Sequence, residues 1–308
     1  MIELQGVHRY FGSTRAVNDV SFEVQRGEVF GFIGPNGAGK TTSMRILATL
    51  DTPTRGDAFV DGFSVVEDPD RVRSRLGFMP DYFGTYPNVN VSEYLDFFAR
   101  AYGLRGSART RAVDHVLDFT LLSSLAQKPT DSLSKGMKQR LCLGRAMIHD
   151  PAVLVLDEPA AGLDPRARIE LRDMIGRLAA DGKAVLVSSH ILTELSEMCH
   201  RVGIIEQGRL LAVGTVEEMR QRMEPHATVR LRVLGGAAEV GPWLEQRADV
   251  AEFRLEGEVA LVSHRGDRAA EVALLRDLIQ AGFPVAEFRA ETKSLEDVFM
   301  HLTNGRVQ

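Results

Sequence analysis

Apolar positions follow two rhythms along this chain. Val29-Phe-Gly-Phe-Ile33, Leu76-Gly-Phe-Met79, residues 152–156 and residues 184–187 are continuous apolar runs. Such runs mark parallel strands buried on both faces. Shorter β-rich pieces, Phe22-Glu-Val24 and Ala58-Phe-Val-Asp-Gly62, fall before and between them. In Val91–Tyr102 and in Arg111–Phe119 the apolar residues recur every three or four positions, which predicts amphipathic helices, and residues 166–180 are read as a helix too. Strand and helix alternation implies an α/β parallel sheet, interrupted between about 88 and 150 by a helical insertion. After residue 222 the composition shifts, and Pro225-His226 reads as a joint. Beyond it the pattern predicts strand 227–234, a weak helix 239–248, strands 250–256 and 258–264, helix 268–281, strand 284–290 and a last helix 294–303 opened by a capping box at Ser294-Leu-Glu-Asp297. This β-α-β-β-α-β order predicts a small α+β, ferredoxin-like accessory domain. The expected domains are therefore 1–222 and 226–308. No catalytic constellation stands out in the second, so a docking or regulatory module is its simplest reading.

One polar interruption carries the chemistry. Gly34, Pro35, Asn36, Gly37, Ala38, Gly39, Lys40, Thr41 and Thr42 fit G-x-x-x-x-G-K-[ST], the P-loop. An apolar strand precedes it and a helical start, Thr41–Ala48, follows, which is the context the motif requires. Glycines let the backbone turn around an anion without Cβ clashes, and the amides of a helix N-terminus offer partial positive charge to it. Lys40 is placed to reach β- and γ-phosphates, and the Thr41 hydroxyl to ligate Mg²⁺. The P-loop alone leaves kinases, GTPases, helicases and transporters open.

Further motifs come in order. Met79-Pro80-Asp81 follows a buried strand; Leu133-Ser134-Lys135-Gly136-Met137 opens a helix for which Ser134 is a natural N-cap. Ala152-Val-Leu-Val-Leu156-Asp157-Glu158 ends a buried strand in two carboxylates, one for the Mg²⁺ shell and one placed to polarise an attacking water. Ala161-Gly162-Leu163-Asp164 and the strand-terminal His190 complete the series.

The ordered series resembles the ATP-binding cassette (ABC) ATPases over about residues 1–222. The S-K-G-M signature and the ending Ser294-Leu-Glu-Asp-Val-Phe299 resemble the ATPase subunits of ABC-2 type exporters, which act in antibiotic and multidrug efflux. The resemblance implies the P-loop NTPase fold of ABC ATPases, with Asp157, Thr41 and Asp81 at the metal, Glu158 as base and His190 as switch histidine. It implies that Ser134 and Gly136 face the γ-phosphate held by a second copy, so that two chains close head to tail on two ATP molecules. It also implies a separate ABC-2 type membrane permease and a location at the cytoplasmic face of the cell membrane. Phe11 stands where an adenine-stacking aromatic is expected, with Tyr10 as the fallback and core packing as the rival reading. Asp81 departs from the usual glutamine, and Lys135 and Met137 from the strict signature. Four of the five tyrosines, Tyr82, Tyr86, Tyr94 and Tyr102, crowd one stretch with Phe83, Phe97 and Phe98. They either pack the insertion or line a groove for a permease helix.

Bulk properties narrow the alternatives. The 308 residues, 44% hydrophobic and 26% charged, describe an ordinary globular chain. A net charge of −5 argues against nucleic acid as the default partner. The start lacks the apolar core of a signal peptide, and no run of about 18 apolar residues occurs, so a membrane role must come through a partner. Cys142 and Cys199, both in helix-like segments, have no metal-ligand spacing and suit a reduced compartment. A soluble ABC ATPase acting on ribosomes or DNA is the main alternative, but such chains carry two cassettes or long coiled coils. A nucleotide sensor with a vestigial ATPase is disfavoured by the intact Lys40, Asp157, Glu158 and His190.

Overall fold

The computed structural model describes residues 1–82, 84, 86–191, 195, 197–215, 217–219, 227–235, 239–266 and 268–291. The chain divides into two compact units, Met1–Val216 and Glu217–Val298. That division falls upstream of the expected joint at Pro225-His226, a pair outside the described residues. The expected helix 294–303 with its capping box is also outside them, as is Phe83.

The first unit holds two sheets. In the larger, β3 (Val29–Ile33), β8 (Ala184–Ser189), β7 (Val153–Leu156) and β6 (Leu76–Met79) run parallel in that order, and β9 (Arg201–Glu206) flanks β3 in parallel on its other side. Every residue of β3, β7 and β8 is buried, as continuous apolar runs require. β10 (Arg209–Gly214) closes the edge antiparallel to β9. The smaller sheet, β2 (Thr14–Val24), β1 (Ile2–Phe11), β4 (Arg55–Val60) and β5 (Phe63–Ser64), is entirely antiparallel. The apolar rhythm did not predict this second sheet, because β1 meets β2 with three register shifts that break simple alternation. Helix α1 (Lys40–Leu47) contributes Met44, Ile46 and Leu47 to the core that both sheets share, where Phe22 stacks on Phe30 with centroids 4.9 Å apart.

After α2 (Pro69–Arg75), the helical stretch contains α3 (Val91–Ala101), α4 (Gly106–Phe119) and α5 (Lys135–Met147). A capping box starts α3: Asn90 Oδ1 accepts from the Glu93 amide at 2.9 Å, and Glu93 Oε2 accepts from the Asn90 amide at 2.9 Å. Helix α6 (Pro165–Ala180) leads back to β8, its N-terminus capped by Asp164. Cys142 is buried within α5, whereas Cys199 lies in the turn before β9 rather than in a helix, with its sulfur against Gly31. Burial pushes the Cys142 thiol up to about 12, so it stays protonated and inert.

The second unit is β11 (Ala227–Val233), α7 (Gly241–Glu245), β12 (Val250–Glu256), β13 (Val259–His264), α8 (Arg268–Gln280) and β14 (Val285–Glu291). Its strands pair in the order β12-β13-β11-β14, all antiparallel. Leu231, Val233, Ala260 and Val262 meet Leu244, Leu274 and Leu278 in its own core. The weak helix shortens to α7, beyond which Arg247 pairs with Asp249 at 2.7 Å and Asp277 at 2.9 Å.

Candidate functional site

The turn between β3 and α1 is built around two glycines that no other residue replaces. A Cβ on Gly34 would collide with the Ile205 carbonyl, and one on Gly39, whose φ is +106°, with the Ala16 carbonyl. Close packing of this kind fixes the loop from below while its upper side stays open. A cavity of about 350 Å³ is lined there by Asn36, Gly37, Ala38, Gly39, Lys40, Thr41 and Thr42, with Asp81, Glu158, Ala161 and His190 opposite and Ala16 at one side. Sequence-predicted residues from four separate segments thus meet at one cavity. A larger cavity of about 600 Å³ shares no lining residue with it. Two ion pairs lie in its wall, Arg75 to Asp61 at 3.0 Å and Lys183 to Asp150 at 2.5 Å.

Lys40 is only 6% exposed. Its Nζ donates to the Gly34 carbonyl at 2.6 Å and the Pro35 carbonyl at 3.2 Å, and lies 3.6 Å from Glu158 Oε1. Burial lowers the Lys40 pKa, while the charges of Glu158 and Asp157 push it back up. The other Glu158 oxygen, Oε2, lies 2.8 Å from His190 Nδ1. An ionised carboxylate only accepts, so the proton between them sits on Nδ1. Glu158 also has a left-handed backbone, φ +48°, held by its amide donating to Ser188 Oγ at 2.9 Å. A non-glycine residue kept there by its neighbours is the kind of local strain that accumulates at working sites.

Asp157 is 1% exposed at the end of β7. Its amide is anchored on the Met79 carbonyl at 2.8 Å, and Ser188 Oγ donates to Oδ1 at 2.5 Å. Burial raises the Asp157 pKa above the usual carboxylate range. Hydrogen bonds from Ser188 and Thr41 oppose that, and the nearby charges of Asp81 and Glu158 add to it. Its Oδ2 is buried without a hydrogen-bond partner. An orphaned carboxylate oxygen beside the Thr41 hydroxyl and a second acid fits a divalent cation. Among the described residues no cluster of three or more His, Cys, Asp or Glu could hold a metal alone. One or two carboxylates supplemented by water and phosphate oxygens is the donor set that Mg²⁺ takes with a nucleotide, rather than an all-protein cage.

Gly34, Pro35 and Asp157 adjoin residues of this lining without being part of it, and Phe11, Ser134 and Gly136 do not line it either. Phe11 is 49% exposed at the end of β1, with the Arg9 guanidinium 4.4 Å from its ring centroid, so it is not a core aromatic. Tyr10 is half-buried, its hydroxyl 2.8 Å from His8 Nδ1. Ser134 and Gly136 sit at the N-terminus of α5, where Ser134 Oγ accepts from the Met137 amide at 3.3 Å. Neither lines the cavity of its own chain. Conversely, Ser188 organises both carboxylates, and motif reading passed over it. Its signal was positional: Leu156 pairs with Val187, so the residue after one strand run stands beside the residue after the other. Ser188→Ala removes a donor from Asp157 and the acceptor of the Glu158 amide. We expect unfolding in denaturant to show a loss of about 1–3 kcal/mol. An unchanged midpoint would mean that Ser188 is not the organiser.

Fold and site together define a nucleotide-binding P-loop cassette. The ABC transporter family model matches residues 17–161, and that of the DrrA1-3-like ATP-binding protein C-terminal domain matches residues 214–303. The Nod factor export ATP-binding protein I of Burkholderia lata is 34% identical over 100% of this chain and 98% of its own length. The linearmycin resistance ATP-binding protein of Bacillus subtilis is 29% identical over 98% of each. A probable multidrug ABC transporter ATP-binding protein of Escherichia coli is 39% identical over 71% of this chain; the match spans only 38% of that longer relative. Among solved structures, an ATP-binding subunit of an ABC transporter superposes with a TM-score of 0.66 at 30% identity, covering 72% of this chain and 93% of its own. A dimeric bacterial ABC transporter cassette does so at 0.63 and 26% identity, covering 70% and 99%. The chain belongs to the ABC transporter ATP-binding proteins, of the ABC-2 exporter type.

Proposed function

We propose that this chain binds ATP with Mg²⁺ and hydrolyses it between two copies of itself, driving export through a separate ABC-2 type permease. The observation that carries this reading is the linked set Lys40, Glu158 and His190 at the mouth of the P-loop cavity, with the orphaned Asp157 oxygen beside it. Lys40 exchanges its two carbonyl partners for β- and γ-phosphate oxygens. Asp157 and Thr41, with Asp81 nearby, hold Mg²⁺, which when bound supplies positive charge to the phosphates. Glu158 accepts the proton of the attacking water, and the His190 Nδ1–H keeps that carboxylate oriented. Gly34 to Thr42 hold the phosphates by backbone amides and the helix N-terminus. Phe11, solvent-facing and adjacent to a turn, is available to stack on adenine. Purified protein should release phosphate from ATP only when Mg²⁺ is present; hydrolysis indifferent to Mg²⁺ would overturn the assignment.

Ser134 and Gly136 supply the argument for a pair. They form a capped helix end away from their own P-loop, so their anion must come from a second chain, which makes the interface twofold and head to tail. Relatives named for Nod factor export and linearmycin resistance support an exporter, and the dimeric cassette supports the pairing. No helix of the described residues is long and apolar enough to cross a membrane. Attachment at the cytoplasmic face of the cell membrane would then come through the permease. The second unit fits a ferredoxin-like accessory domain, because its first, second, third and fourth strands lie in the order two-three-one-four with a helix after the first and third.

The permease surface is read from the aromatic stretch. Tyr94 is buried and Tyr86 leans on it at 6.1 Å, but Tyr82 is 82% exposed and Tyr86, Phe97 and Tyr102 are exposed as well. Packing therefore claims only part of the cluster, and the rest suits the apolar centre of an interface. Tyr86→Ala should abolish transport in reconstituted vesicles while basal hydrolysis persists. Transport at the parental rate would remove Tyr86 from the docking surface.

A further inference from the structure

We propose that Lys135 is a phosphate-binding residue acting in trans, parked here on the turn that borders its own nucleotide cavity. The inference rests on the head-to-tail reading above. Lys135 is the first residue of α5, and α5 carries no acidic residue in its first turn. A cation at that position opposes the helix dipole and costs stability unless an anion arrives. The neighbourhood compounds the effect, because Gly136 abuts Ala167 in the first turn of α6, bringing two helix N-termini together. Acids nearby are already committed: Asp164 Oδ1 accepts from the Ala167 amide at 2.9 Å, and Glu170 pairs with Arg140 and Arg166 at 3.3 Å each. Lys135 is exposed, and among the described residues no ion pair within 4.0 Å holds its ammonium.

Its present resting place is informative. The ammonium lies over Gly162, whose φ is +67°, where any Cβ would collide with Nζ. Residue 161, one position earlier, lines the cavity of the same chain. When the partner's γ-phosphate approaches Ser134 and Gly136, Lys135 has a stronger counter-charge than a glycine backbone and transfers to it. Each chain's Lys135 then links the two ATP sites: its transfer to the partner's phosphate uncovers the turn beside its own cavity.

The test uses the full chain in the Glu158→Gln background, with Mg-ATP as ligand. Light scattering gives the ATP concentration for half-dimerisation, and nucleotide titration at protein concentrations too low for pairing gives the monomer's affinity. Adding Lys135→Gln should raise the half-dimerisation concentration about tenfold or more, as loss of a charge-assisted bond implies. Monomer affinity should stay unchanged, because the P-loop that Lys135 serves is in the other chain, and the melting temperature should hold or rise slightly as a cation leaves the helix N-terminus. Lys135→Arg should recover most of the loss. An unchanged dimerisation curve overturns the role of Lys135 and leaves the dimer reading intact. A lower melting point with weaker monomer binding also overturns it, making Lys135 a clasp on Gly162 only. If the Glu158→Gln parent itself never pairs, the head-to-tail reading falls first.

Discussion

Glu158→Gln should bind ATP and hold it uncleaved. The substitution keeps side-chain length and leaves an amide oxygen to accept the His190 Nδ1–H that now lies 2.8 Å from Oε2. What disappears is the basic oxygen, and removing a positioned general base costs about 10²–10⁴ in rate. Binding should not weaken. Glu158 is an anion facing the space for a triphosphate, 3.6 Å from Lys40, so neutralising it removes a like charge from the phosphates. One opposing effect is smaller: Glu158 helps keep the buried Lys40 protonated, and its loss leaves Asp157 to do so. Uncleaved ATP then accumulates a pair of chains by mass action. Phosphate release under single-turnover conditions and scattering mass with Mg-ATP check the two halves separately. Hydrolysis at the parental rate would remove Glu158 from the role of base.

The residues that bring this geometry about were visible in the chain to different degrees. β3, β6, β7 and the first four residues of β8 were legible because burial there leaves no polar residue to blur the run. The P-loop and the Asp157-Glu158 pair were legible because phosphate and metal chemistry restrict residue type at fixed spacing. The smaller antiparallel sheet was not, since its strands reach Phe11 and Thr14 through bulges that reset the alternation, and Gly12 and Ser13 alone turn the chain. Ser188 was hidden for another reason: a serine in a strand carries no message until the β7–β8 register sets it beside Asp157 and Glu158. The aromatic stretch could not be divided from sequence alone, because Tyr94 and Phe97, three residues apart, share one broad face of α3, and only the packing around it leaves Tyr94 buried and Phe97 exposed. Ser134 and Gly136 were recognisable as a helix start, yet their separation from the cavity of the same chain is a property of the fold.

Lys40→Ala should nearly abolish nucleotide binding and leave the ATP-free fold standing. The lysine is desolvated and satisfied by two loop carbonyls and one carboxylate. Its removal leaves those carbonyls to water that the open cavity admits, and leaves Glu158 held by His190. Taking away a buried cation also ends its desolvation penalty, which offsets part of the lost pairing. The effect on melting is therefore small compared with the effect on ligand. With ATP the same side chain makes charge-assisted bonds to oxygens of two phosphates, each worth about 1.5–3 kcal/mol. Two such bonds correspond to a fall in affinity of about 10²-fold or more. Calorimetric titration with Mg-ATP measures that loss, and thermal unfolding of the same preparation supplies the control. Binding within a few-fold of the parent would mean that the carbonyl-bound position of Lys40 is its working position, and that the loop amides alone grip the phosphates.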